Sequence, residues 1–247
     1  VCPDGDRQRV DGVAGLEVTP EYLEAVINFF NDNDYEIVSL DRMHHILNER
    51  GGGRKFVAFT FDDGYTNNLI HAYPIMKRYQ VPFTVYVSTN YPDRRAVLWW
   101  YLLEDLVLEK NCVEFELNVV RHKFSCRTLE EKEMAFHYIS ELILKGREED
   151  LTSRIRQIFG TFDIDAEGKT GELMLSWEQI KELASDPLVQ IGAHTMNHPS
   201  LNRLSSEEVK KEVVGSQRRL EERVGSKVEH FSYPFGTSNE VCEREFR

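Results

Sequence analysis

Three side chains, Asp63 and the distant pair His194 and His198, are candidates to bind one metal ion. One carboxylate and two imidazoles suit Zn²⁺ or a similar divalent cation, and three protein ligands leave coordination positions open. Open positions are typical of a catalytic metal rather than a structural one. Asp62 precedes Asp63, and adjacent side chains diverge at the end of a strand. One acid can therefore bind the metal while the other faces a substrate.

Each of these signals also has an ordinary structural interpretation. The Asp-Asp-Gly segment 62–64 is common where a strand leads into a helix, because aspartate caps helices and glycine permits the turn. A His-x-x-x-His spacing in a loop more often reflects two solvated or hydrogen-bonded histidines than a metal site. The Tyr-Pro-Phe-Gly segment 233–236 by itself indicates only a turn. None of the three signals decides the function alone.

The elements that must position these residues alternate between strands and helices, a pattern typical of α/β folds. The strand candidates are 35–40, 56–61, 83–87, 188–193 and 230–233. Segment 56–61 is apolar almost throughout, as expected for a parallel strand covered on both faces, and it ends at the two aspartates. The C-terminal ends of parallel strands collect at one edge of a sheet, where active sites form. We therefore expect the three polar segments to meet there.

Helix signals lie between the strands. A Thr-Pro-Glu sequence at 19–21 starts an amphipathic helix, and capping boxes at Ser176 and Ser205 start two more. Segment 68–79 is expected to be helical, with a kink at Pro74.

The pattern changes between about residues 94 and 175, where charged amphipathic segments flank a hairpin-like stretch at 113–124. We interpret this part as an inserted α/β subdomain. The rest of the chain is then expected to form a single catalytic domain over residues 1–247.

Composition restricts the partners of this 247-residue chain. Thirty basic and 42 acidic residues give a net charge of −12, which disfavours nucleic acid and anionic lipid. No apolar run approaches the roughly 20 residues of a membrane span, so we predict no transmembrane segment. The chain begins at Val1 without a signal-peptide pattern, and we expect any such segment to be already removed. A soluble protein of the cytoplasm or the cell envelope fits these features, and the oligomeric state is not indicated.

The four cysteines form no CxxC pair, which argues against structural zinc. Free thiols are favoured, although a bridge between Cys112 and Cys126 would be feasible if they flank a hairpin.

Taken together and in order, the motifs resemble the polysaccharide deacetylase family, the NodB-homology domain of carbohydrate esterase family 4. TFDDG at 60–64 is similar to its first motif, and HTMNHP at 194–199 is similar to the H-[ST]-x-x-H-P pattern of its second. The resemblance runs from about Leu16 to the C-terminus, except for the insertion. It implies a distorted (β/α) barrel and a metal-dependent hydrolase that removes acetyl groups, N-acetyl in preference to O-acetyl, from polysaccharides or oligosaccharides.

The resemblance also implies roles for matching residues in the first two motifs. Asp62 would be the catalytic base. Asp63, His194 and His198 would bind the divalent metal, with Zn²⁺ expected and Co²⁺, Ni²⁺ or Mn²⁺ as alternatives.

The third motif of the family ends in proline followed by tyrosine or phenylalanine, which Pro234 and Phe235 resemble. This implies that the backbone N–H of Phe235 helps to hold the oxyanion. Tyr233 and Pro234 are then candidate substrate-binding residues.

Two departures from the family pattern change the expectations. Ser232 stands where many members have an arginine that pairs with the base, so the base is expected to be oriented differently. The later motifs, including the general-acid histidine, should follow Gly236, but no histidine occurs there.

About five strand candidates also fall short of the roughly seven or eight that a closed barrel needs. We therefore expect an incomplete barrel, with its C-terminal part and the unassigned general acid lying beyond Arg247.

Two other functions stay open. The aromatic segment 99–101 (Trp-Trp-Tyr) could stack on sugar rings in a catalytically impaired carbohydrate-binding homologue, although packing within the insertion is the simpler interpretation. Another divalent-metal hydrolase, acting for example on phosphoesters, could use the same ligands. Such a site usually adds basic residues, and segment 62–65 contains none.

Overall fold

Parallel strands form the centre of the fold, and helices lie between them in the sequence. The computed structural model describes residues 1–3, 10, 15, 17–48, 55–145, 151–237, 241 and 243–245. The strands are β1 (Glu36–Ile37), β2 (Phe56–Val57), β3 (Phe59–Phe61), β4 (Phe83–Val87), β5 (Cys112–Leu117), β6 (Val120–Ser125) and β7 (Val189–Ala193). The α-helices are α1 (Pro20–Asp32), α2 (Leu40–Asn48), α3 (Tyr73–Tyr79), α4 (Trp99–Glu109), α5 (Leu129–Leu144), α6 (Leu151–Phe159), α7 (Ala166–Leu173), α8 (Trp177–Ala184) and α9 (Ser206–Val224).

The predicted strand at 56–61 is interrupted at Ala58, and its two parts pair with different neighbouring strands. β2 pairs in parallel with β1, whereas β3 pairs in parallel with β4. β4 pairs in parallel with β7 over five residue pairs. Beyond β7, the Ala193 N–H donates to the His230 carbonyl (2.9 Å) and the Ser232 N–H donates to the Ala193 carbonyl (3.0 Å). Each of the five predicted strand segments therefore pairs in parallel with a neighbour.

The mixed α/β class predicted from the sequence is confirmed by these elements. Among the described residues the paired strands form open sheets, of which the largest has the order β3-β4-β7. Closure into a barrel stays a prediction.

The helices start and end where local sequence signals place them. Ser176 and Ser205 cap α8 and α9 through complete capping boxes, and Gly225 ends α9 in the left-handed conformation (φ 81°). The predicted helix at 68–79 contains a π-helical turn, Asn68–Ala72, followed by α3. Pro74 lies in the first turn of α3, where its missing N–H costs little, so a change of helix type replaces the predicted kink. None of the helices described is long and apolar enough to span a membrane.

The chain divides into two compact units. The first consists of Val1–Cys2, Val18–Ala96 and Gly171–Arg247, and the second of Pro3–Glu17 and Val97–Thr170. In the second unit, the antiparallel hairpin β5-β6 contacts α4, α5 and α6, and the core includes the fully buried Ile139, Ile143 and Ile158. Its limits are close to those of the predicted insertion, and its interpretation as an insertion stays a prediction.

The described cysteines are free thiols. Cys112 is exposed and lies opposite Ser125, whereas Cys126 is buried. Cys126 follows the last residue of β6 and is not the cross-strand partner of Cys112, and the feasible bridge between them is not formed. Cys242 lies outside the described residues.

β4 is buried on both faces, as its apolar sequence predicts. Phe83, Val85 and Val87 lie in the hydrophobic core. On the other face, the ring of Tyr86 packs directly over Gly192 of β7, where a Cβ atom would lie 2.3 Å from Tyr86 Cδ1. Any side chain at position 192 would therefore force the ring or the strand to move.

We predict that Gly192→Ala lowers the free energy of unfolding by about 1–3 kcal/mol, because the added methyl group overpacks the contact with Tyr86. Denaturant unfolding measures this change. In the background of Tyr86→Leu, which makes room for the methyl group, the cost should be at least about 0.5 kcal/mol smaller. Equal costs in the two backgrounds would show that the ring does not impose the glycine.

Candidate metal centre

The three predicted ligands lie together at the C-terminal edge of the parallel sheet. Asp63 follows β3 and His194 follows β7, and the His194 N–H donates to the Val87 carbonyl at the end of β4 (3.1 Å). Asp63 Oδ1 is 3.3 Å from His194 Nε2 and 3.2 Å from His198 Nε2. One donor atom from each residue lies within 4.8 Å of the other two. Pairing of the strands therefore brings together residues that are more than a hundred positions apart.

The donor set fits a divalent cation. Asp63 Oδ1 is buried and accepts no hydrogen bond of good geometry from the described residues, although two imidazole nitrogens face it. A buried carboxylate oxygen without a partner is costly. A cation held by this oxygen and the two Nε2 atoms would remove that cost, and one carboxylate with two imidazoles is a ligand set that Zn²⁺ accepts.

The orientation of His194 is fixed by its second ring nitrogen. His194 Nδ1 lies 2.8 Å from the carbonyl oxygen of Ser232. Because a carbonyl only accepts, Nδ1 carries a proton and donates. In the neutral, metal-binding form of the ring this leaves the lone pair of Nε2 directed to the metal position. Such outer partners typically orient metal-binding histidines and raise their basicity.

The two adjacent acids have different surroundings. Asp62 is exposed, whereas the side chain of Asp63 is 18% exposed and that of His194 is 1% exposed. Ser232 Oγ donates to Asp62 Oδ2 at 3.3 Å. Ser232 therefore contacts both Asp62 and His194: its hydroxyl donates to Asp62, and its carbonyl accepts from His194. The sequence predicted that serine at this position would leave Asp62 differently oriented.

The local charges shift the pKa values of these groups in opposite directions. Partial desolvation raises the pKa of Asp62, and the positive charge of His194 counters part of that effect. Burial alone would also raise the pKa of Asp63, but the two imidazoles outweigh it and hold its pKa well below the ordinary value. For His194, burial lowers the pKa, and the negative charges of Asp63 and Asp62 outweigh it, so that its pKa is raised. The carboxyl group of Asp63 therefore has a lower pKa than that of Asp62 and stays ionised more readily, as expected of a metal ligand.

Strained backbone is concentrated in these segments. Among the described non-glycine residues with positive φ are Asp63 (69°), Thr195 (66°), His198 (56°) and Phe235 (63°). Each such conformation costs on the order of 1–3 kcal/mol and persists only when its surroundings enforce it. Backbone strain at all three motifs indicates that tertiary contacts hold the loops in shape.

The third motif lies beside the histidines. The ring of Phe235 contacts the ring of His198 edge-on, with centroids 4.7 Å apart. Within the described ranges, no backbone carbonyl accepts the Phe235 N–H. Pro234 is buried, and Tyr233 directs its hydroxyl to the carbonyl of Glu245, which accepts at 3.0 Å. The catalytic and substrate-binding roles of these residues stay predictions.

Two residues that contact the site segments were not anticipated from the sequence. Ser88, which follows β4, donates its hydroxyl to the His194 carbonyl at 2.6 Å. Glu212 of α9 accepts hydrogen bonds from the loop between the two histidines. The available signal for Glu212 was its spacing, four residues before Ser216 and eight before Leu220, which places an acid on the buried face of the helix.

Comparison with known proteins relates this chain to the polysaccharide deacetylases. A family model described as polysaccharide deacetylase matches residues 49–246. YxkH of Bacillus subtilis (strain 168), a curated protein whose name refers it to the polysaccharide deacetylases, is 33% identical over 73 residues, which are 29% of this chain and 26% of that protein. The match thus spans only about a quarter of the relative's length.

Solved structures with the same fold cover most of this chain. The deacetylase PplD of Streptococcus pyogenes, in complex with acetate, has a TM-score of 0.54 at 17% identity and covers 93% of this chain and 67% of its own. A de-N-acetylase from Aggregatibacter actinomycetemcomitans has a TM-score of 0.57 at 15% identity and covers 99% and 77%. At these identities the likeness is one of fold.

We predict that His194→Ala abolishes stoichiometric Zn²⁺ binding, since it removes an Nε2 donor, whereas Asp62→Asn leaves the bound zinc near one equivalent. Zinc content after dialysis and calorimetric titration measure both effects. Loss of zinc to the same extent in the two variants would contradict the division between a ligand and a neighbouring acid.

Proposed function

This chain belongs to the polysaccharide deacetylase family, and we propose on that premise that it is a divalent-metal-dependent hydrolase of acetylated polysaccharides or oligosaccharides. The observation that carries the proposal is the convergence of Asp63, His194 and His198 beside the exposed Asp62. We propose Zn²⁺ as the metal and N-acetyl rather than O-acetyl groups as the target. One solved protein with the same fold is named a de-N-acetylase, which supports the choice of N-acetyl groups.

Asp63, His194 and His198 would hold the cation. When bound, it supplies Lewis-acid chemistry, which lowers the pKa of water toward about 7 and polarises the acetyl carbonyl. Asp62 would act as the general base and accept the proton of the attacking water on its carboxylate. The hydroxyl of Ser232 donates to the second oxygen of Asp62 and so directs the basic oxygen.

As water attacks the acetyl carbon, the carbonyl oxygen gains negative charge. We propose that the N–H of Phe235, which has no backbone acceptor within the described ranges, donates to this oxygen. One such donor is typically worth about 10² to 10³ in rate. The contact of the Phe235 ring with His198 would keep the N–H beside the metal ligands.

The step ends when the bond between the acetyl carbon and the sugar nitrogen breaks. The nitrogen leaves with the bonding pair and takes up one proton, and the products are acetate and a free amine on the sugar. No described residue is assigned as the general acid for this proton.

The other candidate functions have less support. In the second unit, Trp99 and Tyr101 are 6% and 2% exposed, so two of the three aromatic residues of the proposed stacking surface pack in the core. The two motif segments, TFDDG at 60–64 and HTMNHP at 194–199, contain no lysine or arginine of the kind that phosphoester sites usually add. We also propose that residues 97–170 are an insertion into the deacetylase domain.

Release of acetate from a panel of N- and O-acetylated saccharides tests this function. Zinc-loaded protein should release acetate from an N-acetylated member of the panel, a chelator should stop the reaction, and added Zn²⁺ should restore it. We predict that Asp62→Asn lowers kcat by about 10² to 10⁴ because the general base is lost. Asp32→Asn, which changes an exposed acid at the end of α1, serves as the control.

Two results would count against this function. Acetate release that is indifferent to the chelator would reject metal dependence. Measurable affinity for a glycan without any acetate release by the zinc-loaded protein would favour the carbohydrate-binding homologue.

A further inference from the structure

We propose that Glu212 is a positioning residue for the metal centre, whose carboxylate holds the loop between His194 and His198 in the shape that directs both imidazoles at Asp63. The inference rests on the metal site proposed above. It extends that site to α9, a helix that contributes no ligand.

The carboxylate of Glu212 accepts three hydrogen bonds from two loop residues. Its Oε2 atom accepts from the N–H of Met196 (2.7 Å) and from the N–H of Asn197 (3.0 Å). Its Oε1 atom accepts from the side-chain amide of Asn197 at 2.6 Å. Hydrogen bonds to a carboxylate are shorter and stronger than those between neutral groups. One side chain thus binds two of the three residues between the two histidines.

Because Glu212 is buried, its carboxylate needs these hydrogen bonds. Glu212 is 9% exposed and lies on the same face of α9 as the fully buried Ser216 and Leu220. An apolar residue would be the ordinary choice at such a position. A buried carboxylate is tolerated only when hydrogen-bond donors compensate its desolvation, and the loop N–H groups are the donors that do so.

The opposite side of the loop is held by the segment that follows β4. The N–H of Thr89 donates to the Thr195 carbonyl (3.2 Å), and the N–H of Asn90 donates to the Met196 carbonyl (2.9 Å). Asn90 also donates its side-chain amide to Asn197 Oδ1 at 2.6 Å. The loop carbonyls are therefore bound by the segment after β4 and the loop N–H groups by α9, so that Glu212 completes a clamp.

The third N–H of the loop is satisfied within the loop itself. The His198 N–H donates to Thr195 Oγ1 at 3.0 Å. Both residues have left-handed backbone, which is unfavourable without support. With all three successive N–H groups bound, the strained turn is fixed and the two imidazole rings are held with centroids 5.0 Å apart.

The helix surface next to Glu212 fits the same loop closely. A Cβ atom on Gly215 would lie 2.6 Å from Met196 Sδ, so the absence of a side chain there lets the loop approach α9. Glu212 and Gly215 are three positions apart and share one face of the helix. Two independent contacts, one polar and one steric, therefore position the loop on α9.

If Glu212 is a positioning residue, replacing it should weaken metal binding in a protein that still folds. We expect Glu212→Gln to raise the Kd for Zn²⁺ about 10- to 100-fold, as is typical when an outer partner of a metal site is removed. Glutamine cannot accept all three hydrogen bonds, because its amide nitrogen is a donor. Glu212→Asp, which keeps the charge on a shorter side chain, should give an intermediate Kd.

The experiment measures the Kd for Zn²⁺ by competition with a chromogenic chelator, and the far-UV circular dichroism of the metal-free proteins. Glu222→Gln, at an exposed position of the same helix, is the matched control and should keep the wild-type Kd. The absorption spectrum of the Co²⁺-loaded protein gives a second readout, since a displaced imidazole changes the d–d bands and a loss of stability alone does not.

A wild-type Kd and Co²⁺ spectrum for folded Glu212→Gln would overturn the inference. If that variant does not fold, Asn197→Ala decides, because Asn197 is exposed and its side chain connects Glu212 with Asn90. Its Kd should rise about 3- to 10-fold for the lost hydrogen bonds, and an unchanged Kd would reject the clamp. Failure of the wild-type protein to bind zinc through His194 would instead overturn the proposed function, and the role of Glu212 with it.

Discussion

A buried carboxylate oxygen that faces two imidazole nitrogens is the constraint on which the candidate site depends. Asp63 Oδ1 lies 3.2–3.3 Å from both Nε2 atoms and accepts no well-aligned hydrogen bond from the described residues. Placing the negative atom and two lone pairs around one point is costly unless a cation occupies that point. The surrounding structure is arranged to keep the three groups together despite this cost.

The sheet supplies the first part of that arrangement and the loops supply the second. Parallel pairing of β3, β4 and β7 brings Asp63 and His194 to one edge. The left-handed residues in the loops then turn the side chains inward at an energetic cost that hydrogen bonds offset. Ser232 and Glu212 contribute those bonds from two further segments. The chemistry proposed for Asp62 requires this rigidity, because a base acts only within hydrogen-bond reach of its water.

Much of the fold could be predicted because its signals are local. Short sequence patterns are enough to recognise the capping boxes at Ser176 and Ser205, the apolar strands and the three motifs in their order. The interruption at Ala58 could not be anticipated, since it arises from pairing with two different neighbours. Glu212 was missed because its partners are about 15 positions away, and only its place on an apolar helix face hinted at a buried role. The double contact of Ser232 likewise exists only in three dimensions.

X-ray absorption at the zinc edge of the zinc-loaded protein would show whether the three side chains share one cation. We predict one zinc ion per chain with two imidazole ligands and further oxygen ligands at about 2.0–2.2 Å. His198→Ala, which removes an Nε2 donor just as His194→Ala does, should lose this zinc. A zinc environment without imidazole scattering, or one that is the same in the wild type and in His198→Ala, would contradict this prediction.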